Sequence, residues 1–463
     1  MRTIKIGFLP LYIKLYDDVN PQYRQPMIRY MKTVIKMLEA EGLEIVEADL
    51  CRVKAEFFQA AALFRDADVD AVITQHLAYS PSLESIDALM EIKAPLIVMD
   101  TTPTYNLLER QEYENCISPN HGIHGVQDMC NLLRQRGKPY RICAGHAMHS
   151  DVVAQVAGLC RAAAAAKAFS MARIGSVGGS FDGMGDFYVA PEALKGSIGA
   201  QVVAFTAEDS VKYLAEVQPD AIEREKRYDQ DQFVCEIRDE ANYEQSIRSG
   251  LALRRWMEDM RLTALTVNFL NVDKVGLSKM PFVELSKAMM RGAGYAGEGD
   301  VLTAGMVGAL LSVYPETTFT EMFCPDWQKD VILLSHMGEM NLALSQWQPH
   351  LVDMEFRYNA TGNTTVAYGC LKAGKAVLVN LAPMGDGYRM TLAPVEMLPL
   401  GREFGAYKHE MQGWMAPPLP LDEFLPRYSQ SGGTHHSALV YGAQLSELKA
   451  FGEYLGAETE VIG

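Results

Sequence analysis

Short apolar runs alternate with segments of helical periodicity over roughly the first 100 residues. The apolar runs are typical of buried strands, and they are IKIGFLP, LEIVEADL, DAVITQH and APLIVMDTTP. The segments between them place apolar residues three and four positions apart, as amphipathic helices do, and they span residues 25–42, 53–66 and 83–92. This alternation predicts a parallel sheet with helices on both faces.

The alternation continues further along the chain and then changes character. YRICAGH, a helix over 151–169 and ARIGSVGG extend the first pattern. A second α/β unit is indicated by GAQVVAF, a charged helical region over 220–260, LTALTVNFL and a helix over 281–291. After Tyr314 the segments are short, β-rich and separated by Gly, Pro and Asn, and they are TTFTEMF, KDVILLSH, NTTVAYG, AVLVNLAP, YRMTLAP and EMLPL. These predict an antiparallel sheet or barrel, followed by a helix at SELKAFGEYLG and a strand at ETEVIG.

The segment RIGSVGGSFDGMGDF predicts a strand that runs into a glycine-rich turn. Gly175, Gly178 and Gly179 do not have the spacing of a dinucleotide-binding fingerprint. Two interpretations stay open from this segment alone: a plain tight turn, and a loop on the ligand side of the sheet, where open α/β sheets bind their ligands.

Composition narrows the class of protein. The formal charge of −16 over 463 residues argues against a nucleic-acid surface or an anionic membrane as partner. The chain shows no uninterrupted apolar run of spanning length, and MRTIKIGFLPLYIKLYDD lacks the apolar core of a signal peptide. The eight cysteines form no CxxC pair. Their even number is compatible with disulfides, but a long chain without a signal peptide favours reduced, buried thiols and a cytoplasmic protein.

The stretch GYAGEGDVLTAG concentrates glycines and acids before an apolar segment. Gly297 and Gly299 allow a close backbone approach, which would direct the carboxylate of Glu298 into the space beside them. The plainer interpretation is a helix N-terminus, with Asp300 as N-cap and Glu298 as a solvated acid.

Further chemistry-bearing residues follow at the ends of apolar segments or in glycine-rich turns. They are Glu321 in FTEMFCPDW, His336 in LLSHMGEMN, and His435 and His436 in SGGTHHSALVYG. Together with Glu298 they make a plausible site for a hard divalent ion such as Mn²⁺, Mg²⁺ or Co²⁺. Taken singly, a solvated glutamate, a hydrogen-bonded core histidine and a surface histidine pair are the commoner roles. The residues are too far apart in sequence for a local ligand motif, so only the fold can bring them together.

At these residues the chain resembles the L-arabinose isomerase family, within the wider L-arabinose/L-fucose isomerase group. GYAGEGDVLTA resembles the family's GYxFxGEGDWKTA, FTEMF its SFMEDY, LLSHMGEMN its GSHMLEVCP, and GGTHHSALVYG its GGAHHT. The order is kept, and weaker similarity extends to NHGIHGVQDM and FDGMGDF. The resemblance implies an α/β fold of three parts: an N-terminal Rossmann-like domain (1–169), a central α/β domain (170–315) and a C-terminal β-rich, barrel-like domain (316–463).

The resemblance also implies the roles of individual residues. The metal, usually Mn²⁺, would be held by Glu298, Glu321, His336 and His436. The sugar would meet His124, Met184, Met337 and His435. Family members are trimers or hexamers in which the equivalent of His124 reaches the neighbouring subunit's site, so we expect a homo-oligomer.

The implied reaction is aldose–ketose isomerisation through a cis-enediol. Glu298 and Glu321 would be the acid/base pair, with a divalent ion as electrophile. Two alternatives remain: a non-catalytic sugar-binding protein, and a metal-dependent epimerase or lyase that uses the same enediolate.

The chain departs from the family pattern around the pocket. The family's opening GSQxLYG is replaced by GFLPLYIKLYDD, which loses a sugar-contacting glutamine, and Asp326 and Trp327 are new candidates after the second glutamate. The sugars left open are therefore an L-arabinose-like pentose, a hexose, a deoxysugar and an anionic sugar. Four basic residues are candidates for an anionic group, although surface charge is the commoner role; they are Arg173, Arg357, Arg389 and Lys408.

Overall fold

A computed structural model of the chain describes residues 2–109, 116–400 and 412–463. These residues form two compact units, Arg2–Ala164 and Ala165–Gly463. The three-domain division predicted from the sequence stays a prediction. The predicted fold class is confirmed, since two parallel sheets flanked by helices are followed by a closed antiparallel barrel.

The first unit is built on a five-stranded parallel sheet in the order β2-β1-β3-β4-β5. Its strands are β1 (Ile4–Leu11), β2 (Leu43–Glu47), β3 (Ala71–His76), β4 (Leu96–Asp100) and β5 (Tyr140–Ala144). The helices are α1 (Lys14–Val19), α2 (Arg24–Ala40), α3 (Lys54–Asp66), α4 (Ser82–Glu91), α5 (Gly122–Gln135) and α6 (Val152–Ser170), with a 3₁₀ turn at Pro21–Tyr23. The last six residues of α6 belong to the second unit. Every residue of β3 is buried, as expected of a central strand with helices on both faces.

Helix α6 is the one helix among the described residues that is long and apolar enough to cross a membrane. Of its most apolar 18-residue window, 67% is buried inside the protein. That degree of burial is typical of a core helix of a soluble protein.

The central part of the chain forms a second parallel sheet in the order β10-β9-β6-β7. Its strands are β6 (Arg173–Val177), β7 (Gln201–Phe205), β9 (Ala264–Val267) and β10 (Gly294–Gly297), and the short strand β8 (Val234–Glu236) lies outside this sheet. The helices are α7 (Pro191–Ser197), α8 (Ala207–Glu216), α9 (Pro219–Gln232), α10 (Glu240–Asp259), α11 (Phe282–Met290) and α12 (Val301–Leu311), with a 3₁₀ turn at Phe269–Asn271. The charged region over 220–260 is therefore two helices with a strand between them.

The rest of the chain is β-rich. Its strands are β11 (Thr317–Asp326), β12 (Val331–Ser335), β13 (His350–Met354), β14 (Thr364–Tyr368), β15 (Gly374–Met384), β16 (Gly387–Met397), β17 (Gly413–Ala416), β18 (His436–Tyr441) and β19 (Glu458–Val461). The helices are α13 (Leu421–Gln430) and α14 (Leu445–Tyr454), with a 3₁₀ turn at Leu342–Leu344. Six antiparallel strands close in the order β15-β18-β11-β12-β17-β16, because β15 and β16 also pair with each other. Strand β19 adds to β16 in parallel.

Two details differ from the sequence interpretation. NTTVAYG, which is β14, pairs with β13 in a three-stranded sheet that also contains β8, so it is not a barrel strand. YRMTLAP and EMLPL are largely one strand, β16, rather than two. Pro394 does not interrupt it because β19 pairs with β16 at Arg389–Leu392 and β17 pairs at Glu396–Met397, which leaves the side of Pro394 that lacks an N–H unpaired.

Candidate metal centre and active site

The strand register of the barrel brings three of the predicted site residues together. Glu321 on β11 lies opposite His436, the first residue of β18, and opposite Ser335 at the end of β12. His336 follows Ser335 directly. His336 and His436, which follow Glu321 by 15 and 115 positions in the sequence, therefore lie beside it in the fold. No local sequence spacing indicates these contacts.

The fourth residue, Glu298, comes from the central sheet. It follows β10 and precedes Asp300, which caps α12 by accepting a hydrogen bond from the backbone N–H of Thr303. Glu298 has a φ of 62°, an uncommon conformation for a residue with a side chain. Hydrogen bonds at both backbone groups hold it there: its N–H donates to the Val267 carbonyl, and its carbonyl accepts from the N–H of Phe181, each at 2.9 Å.

The polar atoms of these side chains converge. Nε2 of His436 lies 2.9 Å from Oε1 of Glu321 and 3.5 Å from Oε2 of Glu298. Nε2 of His336 lies 3.5 Å from the same Glu321 oxygen. Nε2 of His435 lies 3.4 Å from Oε2 of Glu298. One ligand atom from each of Glu298, Glu321, His435 and His436 fits within 4.8 Å of the others.

Each buried histidine has a carboxylate behind it. The Nδ1–H of His436 donates to Asp300 at 2.9 Å, and the Nδ1–H of His336 donates to Glu339 at 2.6 Å. Because a carboxylate only accepts, both rings carry the proton on Nδ1 and direct Nε2 towards the glutamates. Glu339 is itself fixed by the Tyr295 hydroxyl, which donates to it at 2.6 Å.

The ring of Phe319 packs against both buried histidines. It meets His336 and His436 edge-on, each at a centroid distance of 5.0 Å. Phe319 is fully buried, so the imidazoles are held against an apolar wall as well as by their carboxylates.

Gly297 and Gly299, the two glycines of GEGD, lie where neighbouring atoms leave no room for a side chain. A Cβ on Gly297 would lie 2.7 Å from Nε2 of His336, so this glycine leaves room for the ring. Gly299 has a φ of 85°, and a Cβ there would lie 2.2 Å from the Gly179 carbonyl oxygen. Gly299 therefore admits the neighbouring loop, whereas the sequence interpretation gave it the role of a close approach beside Glu298.

Burial and ion pairing set the protonation of the cluster. Burial alone would raise the pKa of Glu298, but His435 and His436 lower it to about 2. Burial would lower the pKa of His436, yet the Asp300 carboxylate behind the ring raises it well above its usual value. The pKa of His336 is also raised, against burial, by Glu339 and Glu321.

The residues fit a divalent cation. Nε2 of His436 is buried and, among the described residues, makes no hydrogen bond of acceptable geometry, as expected of an atom reserved for a ligand. The donor set of carboxylate oxygen and imidazole nitrogen suits Mn²⁺ or a similar ion. Carboxylates that hold the far nitrogen of each imidazole are the usual support for metal-bound histidines.

The other residues predicted to contact the sugar, and Asp326, lie on separate elements of the structure. Met184 and Met337 are both half-buried, the first in the loop after β6 and the second directly after His336. His124 lies in the first turn of α5 in the N-terminal unit, with its Nδ1 3.4 Å from that of His121. Asp326 accepts hydrogen bonds from the backbone N–H groups of Gln328 and Lys329, so it stabilises the β11–β12 turn.

The candidate anion-binding residues have local partners. Arg173 donates to the Met260 carbonyl and Gln201, Arg357 pairs with Glu355, and Arg389 pairs with Glu458. Lys408 lies outside the described residues. Trp327 is 64% exposed.

Sequence reasoning missed two carboxylates of this region, Glu339 and Asp186. Glu339 had a local signal, since it lies three residues after His336. Asp186 bonds His435 across the fold, and only its place in the glycine-rich loop, two residues after Met184, pointed to it.

All eight cysteines, every one in the described part of the chain, are free thiols. The prediction of free thiols is confirmed, but the prediction that they are buried is wrong for Cys235 and Cys324, which are exposed.

Comparison with known proteins identifies the family. The family model for the L-arabinose isomerase central domain matches residues 192–314, and the model for the C-terminal domain matches residues 316–458. The chain belongs to the L-arabinose isomerase family. Membership in this family makes it an aldose–ketose isomerase by type, which favours an enzyme over a non-catalytic sugar-binding protein.

Curated relatives agree over most of the chain. The L-arabinose isomerase of Erwinia tasmaniensis is 23% identical over 87% of this chain and 83% of its own length. That of Shewanella baltica is 24% identical over 92% and 87%, respectively. That of Geobacillus stearothermophilus is 25% identical over 84% and 80%. At this level of identity the chain is a divergent member of the L-arabinose isomerase family.

Proposed function

We propose that this protein interconverts a sugar aldose and its ketose through a cis-enediol and that it needs a divalent metal ion to do so. The observation that carries the proposal is the convergence of carboxylate oxygens and imidazole nitrogens from Glu298, Glu321 and His436, with ligand atoms within 4.8 Å of one another. The family membership supplies the reaction type.

We assign the metal to Glu298, Glu321, His336 and His436. His336 and His436 are the more suitable imidazoles, because their side chains are 4% and 0% exposed whereas that of His435 is 39% exposed. Mn²⁺ is the preferred ion in this proposal, with Mg²⁺ or Co²⁺ as substitutes. A bound divalent ion would polarise the sugar carbonyl and lower the cost of negative charge on its oxygen.

Glu298 and Glu321 are the proposed acid/base pair. One carboxylate takes the proton from C2 of the aldose and returns it to C1, and the other moves a hydroxyl proton from O2 to O1. Both steps need a carboxylate within reach of adjacent carbon and oxygen atoms, which supports a role for two glutamates of one cluster.

The substrate class is a sugar that resembles L-arabinose, because the relatives are named L-arabinose isomerases. We assign the contacts to the sugar to Met184, Met337, His435 and His124. In this proposal the protein is a cytoplasmic homo-oligomer, and His124 acts at the site of a neighbouring subunit. Size-exclusion chromatography with light scattering tests the oligomer: a monomer that retains activity would contradict the shared site.

An NMR assay in D₂O tests the reaction. The protein is stripped with EDTA, reloaded with Mn²⁺ or Mg²⁺, and offered pentoses, hexoses, 6-deoxyhexoses and anionic sugars. We expect a metal-dependent ketose signal with deuterium at the exchanged carbon. A new aldose epimer without ketose would favour the epimerase alternative, and failure to convert any sugar would contradict the proposal.

Variants test the individual residues. Glu298→Gln and Glu321→Gln are expected to abolish turnover in folded protein, and His436→Ala is expected to weaken Mn²⁺ binding in calorimetry. Glu355→Gln is the matched control, because this glutamate is 63% exposed and pairs with Arg357. Turnover by Glu298→Gln at the rate of the control would remove Glu298 from the mechanism.

A further inference from the structure

The loop over 178–190, between β6 and α7, carries an acid that contacts the histidine pair. Oδ2 of Asp186 accepts two hydrogen bonds from His435, one from its backbone N–H at 3.0 Å and one from Nδ1–H at 2.7 Å. These contacts join residues 249 positions apart in sequence.

The double contact fixes the orientation of the His435 ring. The carboxylate only accepts hydrogen bonds, so Nδ1 must carry a proton. Nε2 then points to the opposite side, where it lies 3.4 Å from Oε2 of Glu298. Asp186, His435 and Glu298 thus form one chain of polar contacts that runs from the partly exposed loop to the buried carboxylate.

The loop is anchored on both sides of Asp186. The ring of Phe187 is buried and stacks on His436 at a centroid distance of 4.9 Å and an interplanar angle of 13°. At the start of the loop, the N–H of Phe181 donates to the Glu298 carbonyl, and Asn268 Nδ2 donates to the Ser180 carbonyl. Because the loop is anchored on Glu298 and on His436, Asp186 holds His435 from a fixed position.

His435 differs from its neighbour in access. The side chain of His436 is fully buried, whereas that of His435 is 39% exposed while its Nε2 faces Glu298. A sugar that binds beside Glu298 would therefore meet the Nε2 edge of His435. Holding this edge in one orientation is the kind of preorganisation that keeps a hydrogen-bonding group aligned with the reacting oxygen.

We infer that Asp186 is a positioning residue for isomerisation: it fixes His435 with the proton on Nδ1 so that Nε2 faces the reacting end of the sugar beside Glu298. The inference rests on the proposed function. It also decides between the two interpretations of the glycine-rich segment, because the loop is part of the site and not a plain turn.

The test compares Asp186→Asn and Asp186→Ala with Asp182→Asn, an exposed acid four residues earlier in the same loop. We expect kcat to fall about 10- to 100-fold in the Asp186 variants, with KM changed less than about twofold. The Asp182→Asn control is expected to match the parent protein.

A second readout does not depend on turnover. In ¹⁵N-histidine-labelled, Mg²⁺-loaded protein, the ring nitrogen shifts of His435 report whether Nδ1 carries a proton. We expect the Nδ1–H signature in the parent and in Asp182→Asn, and its loss in Asp186→Ala. If the parent isomerises no sugar but shows this signature, the proposed function fails, and only the orientation of His435 by Asp186 stands, without a role in isomerisation.

Two results would overturn the inference. One is an unchanged His435 signature in Asp186→Ala. The other is a loss of kcat in Asp186→Asn that is explained by a parallel fall in thermal stability, since that would make the role of Asp186 structural.

Discussion

Replacing Lys287 with methionine is expected to destabilise the central part of the chain strongly. The ammonium group of Lys287, whose residue is 2% exposed, pairs with Asp229 and with Glu225, the latter at 2.7 Å. Glu225 keeps Arg254 as a partner in the variant, but Asp229 is fully buried and, within the part of the chain that the structure describes, its side chain keeps only the Tyr243 hydroxyl at 2.8 Å. Removing one partner of a buried pair costs about 3–5 kcal/mol, because the other charge is left uncompensated.

Urea unfolding followed by tryptophan fluorescence measures this cost. With a slope of about 2–3 kcal/mol per molar urea, the midpoint should fall by about 1–2.5 M. The matched control is Arg224→Met on α9, the helix that carries Asp229, whose pair with Asp220 is more than 60% exposed on both sides. An exposed pair of this kind contributes about 0–1 kcal/mol, so the control should stay close to the parent.

The loss should also depend on pH. Burial raises the pKa of Asp229 even in the parent protein. In the variant the folded state therefore binds a proton more readily than the unfolded state, so stability should improve as pH falls from 8 to 5. A double variant with Asp229→Asn should recover much of the loss. A midpoint for Lys287→Met within error of the control, or a loss that is independent of pH, would refute the reasoning.

Three further outcomes are expected. First, Mn²⁺ affinity should rise with pH, because the raised pKa values of His436 and His336 mean that binding must displace protons. Calorimetry in two buffers of different ionisation enthalpy measures the proton release, and an affinity that is constant from pH 5.5 to 8 would contradict the prediction. Second, Gly297→Ala should weaken Mn²⁺ binding at least about 10-fold, because the new Cβ would lie 2.7 Å from Nε2 of His336. The circular dichroism spectrum should stay unchanged, and full Mn²⁺ affinity would show that the His336 ring moves freely. Third, Thr206→Ala should lower the free energy of unfolding by about 1 kcal/mol without changing turnover, because the substitution removes the capping box with Asp209 on α8. An unchanged urea midpoint would argue against a stabilising role for this cap.

Periodicity predicted the sheets and helices well because strand and helix patterns depend on neighbouring residues. The parallel sheets, helix α6 and the β-rich part after Tyr314 all follow from such local patterns. Pairing partners depend on the whole fold, so the local pattern does not show that β14 pairs outside the barrel or that β16 continues through Pro394.

In the candidate site, too, the local sequence indicates some features and only the fold determines the others. Chemistry and resemblance pointed to Glu298, Glu321, His336 and the histidine pair, since these stand at the ends of apolar segments. The N-cap role of Asp300 was also expected, but its hydrogen bond to His436 was not. Contacts of that kind, like the one between Asp186 and His435, link distant segments and have no signature in the local sequence.

The two glutamates of the cluster lie on opposite sides of the short connection between α12 and β11. Glu298 belongs to the parallel central sheet, whereas Glu321, His336 and His436 belong to the barrel. A chimera of two relatives joined at this connection would inherit one carboxylate from one parent and the remaining groups from the other. Its Asp300 would also have to orient a histidine supplied by the second parent. Recombination at this point therefore exchanges halves of the proposed site, and each half must match the geometry of the other.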